Sequence, residues 1–175
     1  LYFTEIAEWF EGAKLSFACS ADFLDSIGAI NLTKEQVDFL EEIQDPSYRQ
    51  SVRDFIVNQQ FRKDYWVKGT ISLNGVGRNE ILREARVVLL KQAQDVSLKL
   101  NRGREINLSP DVYNPILEVL TSQLPSSIDE LELKLKDKNI SISQIVEAVL
   151  ILVGSGQADC ARLEEEIEAS KSDVS

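Results

Sequence analysis

The stretch 53–69 holds the densest mix of charge, amide and aromatic groups in the chain, and Arg53, Asp54, Asn58, Arg62, Asp64 and Trp66 form its candidate interaction surface. Arginine forks hold carboxylates by two parallel hydrogen bonds. An asparagine amide offers both donors and an acceptor, and a tryptophan face attracts cations. These are tools of recognition and of structural pairing. The chain contains no histidine, which removes the commonest general base and the commonest neutral metal ligand. Gly75-Val76-Gly77 is a lone GxG without the preceding apolar strand and following acid that a cofactor loop requires. The sequence therefore assigns no catalytic, cofactor-binding or metal-binding residue. Two readings stand for the 53–69 cluster: ion pairs that fix a helix-to-strand junction, or a docking surface. Tyr65 and Trp66 are expected in a core or an interface.

Helical spacing places Ile6, Trp9, Phe10 and Ala13 on one helix, with Thr4 as its N-cap. Leu15–Ser20 follows as a strand, and Asp22 opens a brief helical segment that ends near Gly28. Thr33-Lys34-Glu35-Gln36 is a capping box that launches a helix through Gln44. Asp45-Pro46 starts the next helix, in which Tyr48, Val52, Phe55 and Ile56 fall on one apolar stripe expected to face the core. Gln50, Asp54 and Asn58 line up on its polar side, beside a basic stripe of Arg49 and Arg53. From Phe61 to Lys68 the pattern alternates, as in a strand, with Arg62, Asp64, Trp66 and Lys68 on one side.

Three glycines and an Asn74-Gly75 turn signal make 69–77 the linker. Beyond it come a short helix from Asn79 to Ala85, a strand from Arg86 to Lys91, and a hairpin whose arms flank Asn101-Arg102-Gly103-Arg104. Ser109-Pro110 opens a helix with Tyr113, Ile116, Leu117, Leu120 and Leu124 buried. Ser127 opens a second helix, Ser141 or Ser143 a third, and Gln157–Ala161 is a strand after Gly154 and Gly156. The predicted fold class is α+β and mainly helical: a helical N-terminal region with short strands (1–73), then a winged-helix-like C-terminal domain (74–175).

Charge and composition narrow the partners. The net charge is −10, and only 78–104 is basic, with seven Lys and Arg against three Asp and Glu. Such a field repels polyanions, so nucleic acid is not the expected partner. The third helix of the tail, Gln144–Val153, has Glu147 as its one charge and lacks the arginine or asparagine a base-reading helix needs. The longest apolar run, Ala148–Val153, falls far below the roughly 20 residues a bilayer demands. A cytoplasmic location with no membrane contact is the expectation. Cys19 and Cys160 fit neither a zinc site nor a disulfide framework and are expected as small buried residues.

The pattern RDFxxNxxFRxDxWxKG, read from Arg53 to Gly69, resembles the signature of the predicted methyltransferase regulatory domain. Leu1-Tyr2-Phe3, Ala13-Lys14-Leu15-Ser16-Phe17 and Ser20-Ala21-Asp22 extend the similarity, as does a tail like the winged-helix-like tail of these enzymes. Residues 70–78 depart from the more basic stretch associated with the family. In some bacterial S-adenosylmethionine-dependent methyltransferases, including rickettsial protein-lysine methyltransferases, this domain follows the catalytic core. The resemblance implies a non-catalytic regulatory or substrate-recognition region, whose partners are the catalytic domain of the same polypeptide and a protein substrate. It also implies S-adenosylmethionine in that catalytic domain and no cofactor in this chain. No methionine occurs, position 1 included, and the chain reads as a fragment of a longer protein. The alternative is a winged-helix module that binds nucleic acid or protein.

Overall fold

A computed structural model describes residues 1–69, 74–102, 105–122 and 124–162. It divides into two compact units, Leu1–Ser72 and Leu73–Ser175. Residues 70–73 of the linker, Gly103, Arg104, Gln123 and the acidic end beyond 162 lie outside the described residues.

The N-terminal unit begins with α1 (Phe3–Glu11), whose first turn is closed by the Glu5 carboxylate accepting the Tyr2 N–H at 2.7 Å. Thr4, the expected N-cap, lies inside the helix instead, and its N–H donates to the Ser51 hydroxyl at 3.2 Å. The chain reverses into β1 (Leu15–Ser20), then a 3-10 turn, Phe23–Ser26, capped by Asp22 accepting from the Leu24 N–H. The short α2 (Gly28–Asn31) precedes α3 (Lys34–Glu41). Thr33 and Gln36 close α3 as the predicted capping box, each side chain accepting the other's backbone N–H. Asp45 caps α4 (Pro46–Ile56), with Pro46 at the position where a missing N–H costs nothing. β2 (Asp64–Lys68) pairs antiparallel with β1, placing Phe17 opposite Trp66. The register shifts between Phe17 and Cys19, and the extra residue in β1 is Ala18.

The apolar stripe of α4 is not core. Tyr48 and Phe55 are 57% and 67% exposed, and the buried residue of the helix is Ser51. α1 meets α4 at Ser51, where a small side chain lets two backbones approach closely. Tyr48 and Phe55, about one turn to either side of that crossing, protrude past it. Trp9 is likewise exposed, because α1 turns Phe3, and not Trp9, into the interior.

The second unit opens with α5 (Gly75–Glu84). Its first turn includes Gly75 and Gly77, two of the three glycines read from sequence as linker, because the Asn74 side chain accepts the Gly77 N–H at 2.8 Å and caps the helix there. β3 (Arg86–Leu89) follows, then the hairpin of β4 (Lys99–Asn101) and β5 (Glu105–Asn107). Next come α6 (Pro110–Leu120), β6 (Ser126–Ser127), α7 (Ile128–Lys134), α8 (Ile142–Gly154) and β7 (Ala158–Ala161). β3 is the centre of an antiparallel sheet in the order β6-β3-β7. The strand between the other two thus comes from ahead of the three helices, not from a wing behind them.

The core of this unit is aliphatic: Ile116, Leu120, Leu131, Leu135, Ile145, Ile151 and Leu152 are fully buried. Burying each stabilises the fold by about 1.5–3 kcal/mol before chain entropy is set against it. α6 ends at Leu120, so Leu124, expected on its inner face, is exposed. Both cysteines are exposed, not buried. Cys19 sits at the register shift of β1, and Cys160 lies on the edge strand β7.

Candidate functional site

The residues singled out in 53–69 come together around Arg62. Its guanidinium takes Asp64 with both carboxylate oxygens, at 2.8 and 3.0 Å, and Asp54 at 2.5 Å. The same group lies 4.6 Å from the centre of the Phe3 ring and 5.5 Å from that of Phe17. One cation therefore ties the end of α4 to the start of β2 and rests on the aromatic floor of the unit. Trp66 completes that floor, stacked on Phe3 at 5.5 Å and edge-on to Phe10 at 4.8 Å and Phe17 at 5.6 Å. Such pairs contribute about 0.5–1.5 kcal/mol each beyond area burial.

Burial and charge compete here. Desolvation raises the Asp54 carboxyl above its ordinary value and outweighs the attraction of Arg62. For Arg62, burial alone lowers the guanidinium, but the hydrogen bonds and charges of Asp64 and Asp54 outweigh it, and the net shift is upward. The two directions disagree about how strongly the Asp54–Arg62 contact favours charge. The shared geometry explains this: Arg62 has two carboxylates, while Asp54 has Arg62 as its main counter-charge and Asp64 repelling it.

Arg53 and Asn58 do different work. Arg53 reaches across to the backbone carbonyl of Asp25 at the 3-10 turn, and Arg49 beside it holds the Ile43 carbonyl at 2.9 and 2.5 Å. The basic stripe of α4 thus fastens two loops. Asn58 adopts φ +53°, with its N–H on the Phe55 carbonyl at 3.3 Å and the Gln59 N–H on the Asp54 carbonyl at 2.8 Å. This is a Schellman termination with asparagine in the left-handed position. Asn58 stops the helix and turns the chain toward Arg62.

Of the six predicted residues, Asp54, Arg62, Asp64 and Trp66 are in one constellation, and Arg53 and Asn58 hold its edges. Ser20, Gln50, Arg53, Arg62 and Asp64 line a groove of about 320 Å³ beside it. Sequence spacing did not reveal Phe3 and Phe17 as partners of Arg62, since nothing local links residues so far apart in the chain. Tyr65, on the alternate face of β2, is exposed. Among the described residues, no group of three or more Cys, Asp or Glu is placed to hold a metal ion. No helix among them is long and apolar enough to cross a membrane.

Sequence reasoning also missed Gln157 in the second unit. Its amide accepts the Ser97 N–H at 2.6 Å and donates to the Ser97 carbonyl at 3.1 Å, imitating one rung of a sheet across the core. Gly156, at φ +67°, sets it at that depth.

Residues 1–68 match the family described as the predicted methyltransferase regulatory domain. The protein sll1526 of Synechocystis sp. is 35% identical over 156 residues, which cover 89% of this chain and 31% of that protein. The structure of PKMT2 from Rickettsia typhi shares the fold, with TM-score 0.55 and 16% identity over 91% of this chain and 35% of that one. The same protein in complex with AdoHcy gives TM-score 0.54. The chain spans about a third of the length of the relatives it matches. The likeness to the predicted methyltransferase regulatory domain family thus rests on residues 1–68, which make up most of the N-terminal unit.

Proposed function

We propose that this chain is a non-catalytic regulatory or substrate-recognition region of an S-adenosylmethionine-dependent methyltransferase acting on protein, with lysine as the acceptor. The family match over 1–68 carries this reading. It is supported by the fold shared with PKMT2, a protein whose complex with AdoHcy, the spent methyl donor, is among the similar structures. In this reading Arg53, Asp54, Asn58, Arg62, Asp64 and Trp66 hold the N-terminal unit in shape and set the surface around them, and the methyl donor binds in the catalytic domain. The second unit acts as a winged-helix-like contact module, a reading supported by the succession of α6, β6, α7, α8 and β7. The parent protein works in the cytoplasm.

The test uses the complete product of the gene that encodes this chain, with labelled S-adenosylmethionine and unmodified cell protein as acceptor. The complete product is expected to transfer methyl groups, this chain alone to transfer none, and deletion of residues 1–68 to change rate or acceptor choice at least fivefold. Turnover by the isolated chain, or no transfer by the complete product, overturns the reading.

A further inference from the structure

One face of the N-terminal unit gathers exposed apolar side chains from separate stretches of chain. Leu1 and Tyr2 ahead of α1, Phe55 in the last turn of α4 and Phe61 before β2 line one groove of about 470 Å³. Tyr2, Phe55 and Phe61 are 58%, 67% and 87% exposed, and the Tyr2 ring lies 5.5 Å from that of Phe55. Single exposed apolar residues need no explanation, but three exposed aromatic rings converging on one concavity do.

The charges around the groove narrow what it receives. Its two charged lining residues are Asp54 and Arg62, which pair with each other, Arg62 being shared with Asp64. The surrounding sequence is acidic, with twelve Asp and Glu against seven Lys and Arg in 1–69, yet none of that excess lines this groove. Ser51, Asn58, Gln59 and Gln60 also line it, so the occupant is selected by apolar area, shape and uncharged hydrogen-bonding groups. Contact of this kind characterises permanent association more than transient encounter. A permanent neighbour is at hand under the proposed function, because the matched region makes up only 31% and 35% of the relatives.

We propose that the groove bounded by Leu1, Tyr2, Phe55 and Phe61 seats the methyltransferase catalytic domain of the same polypeptide through apolar contact. This rests on the function proposed above. Docking then depends on the two exposed phenylalanines, with Arg62 in the same groove held by its carboxylates and resting on Phe3 and Phe17. The apolar stripe of α4, unexplained by the packing of its own unit, gains a covering partner at its Phe55 end.

Carbene footprinting of the complete gene product, beside this 175-residue chain, reads the covering directly. Labelling of Phe55 and Phe61 is expected to fall at least fivefold in the complete product, with Tyr65, exposed on β2, labelled equally in both. Benzoylphenylalanine placed at position 61 of the complete product then identifies the neighbour. Crosslinks to the catalytic domain within one molecule support the proposal. Equal labelling of Phe55 and Phe61 in the two proteins overturns it, as do crosslinks to a second copy, to residues 73–175 or to another protein. Methyl transfer measured on the same preparation separates the two failures: an active enzyme with an uncovered groove sinks only this inference, whereas an inactive product with no methyl-donor binding sinks the proposed function.

Discussion

Arg62 ties two carboxylates and the aromatic floor of the N-terminal unit to one cation. Arg62→Ala leaves Asp54 and Asp64 facing each other at partial burial and strips the cation from the Phe3 ring. The cost lies between that of a surface pair and a buried one, about 2–3 kcal/mol. Arg62→Lys is expected to recover less than half of this, since an ammonium cannot bridge Asp54 while taking Asp64 by both oxygens. Urea titrations followed by Trp66 fluorescence measure both. The pH dependence has a definite sign. The folded-state pKa of Asp54 is raised, so its contribution is full below the ordinary aspartate value and is lost as pH rises through the folded-state value. Asp54→Asn is therefore expected to flatten that part of the stability profile, and an unchanged slope between wild type and variant contradicts the assignment.

At the scale of elements, helix ends decide where the polar groups go. Asn58 holds the left-handed position that ends α4. Asn58→Gly is expected to be neutral or slightly stabilising, while Asn58→Val costs about 1–2 kcal/mol, because a β-branched side chain resists positive φ. Equal thermal midpoints for the two variants count against the Schellman geometry. Gln157 ties the segment around Ser97 to the end of α8, and Gln157→Ala leaves both Ser97 backbone groups without that partner. A loss of about 2–3 kcal/mol is expected, with amide exchange at Ser97 accelerated well ahead of exchange in α8. α8 itself buries Ile145, Ala148, Val149, Ile151 and Leu152. Its remaining positions carry no arginine or asparagine to read a base.

For the whole molecule, the net charge of −10 sets the expectation for polyanions. Fluorescence anisotropy with a labelled 20-base-pair duplex at low salt is expected to show no saturable binding up to about 10 μM, where nonspecific DNA binders already associate. Salt-sensitive binding in the micromolar range instead makes the nucleic-acid alternative the better account. The charge is a property of the sum over the chain and survives any detail of folding.

Most caps, the charge balance and the strand alternation were legible in the sequence because each is decided by near neighbours, Thr4 at the start of α1 being the cap that was not. Thr33 with Gln36, Asp45 before Pro46, and Ser127 with Glu130 each satisfy helix N–H groups within a few residues, so local chemistry alone places them. The alternation of Arg62, Asp64 and Trp66 against Phe61, Tyr65 and Val67 is equally local, since successive side chains in extended backbone point to opposite sides. The 53–69 motif carried the family by the same kind of reading. Which apolar residues are covered was not legible. Tyr48 and Phe55 have the spacing of a core stripe, but α1 reaches α4 at Ser51, and only a contact between elements over forty residues apart settles who is buried. The pairing of Arg62 with Phe3 and of Gln157 with Ser97 belongs to the same class. Periodicity says that a helix has an apolar face; the tertiary structure decides how much of that face another element covers.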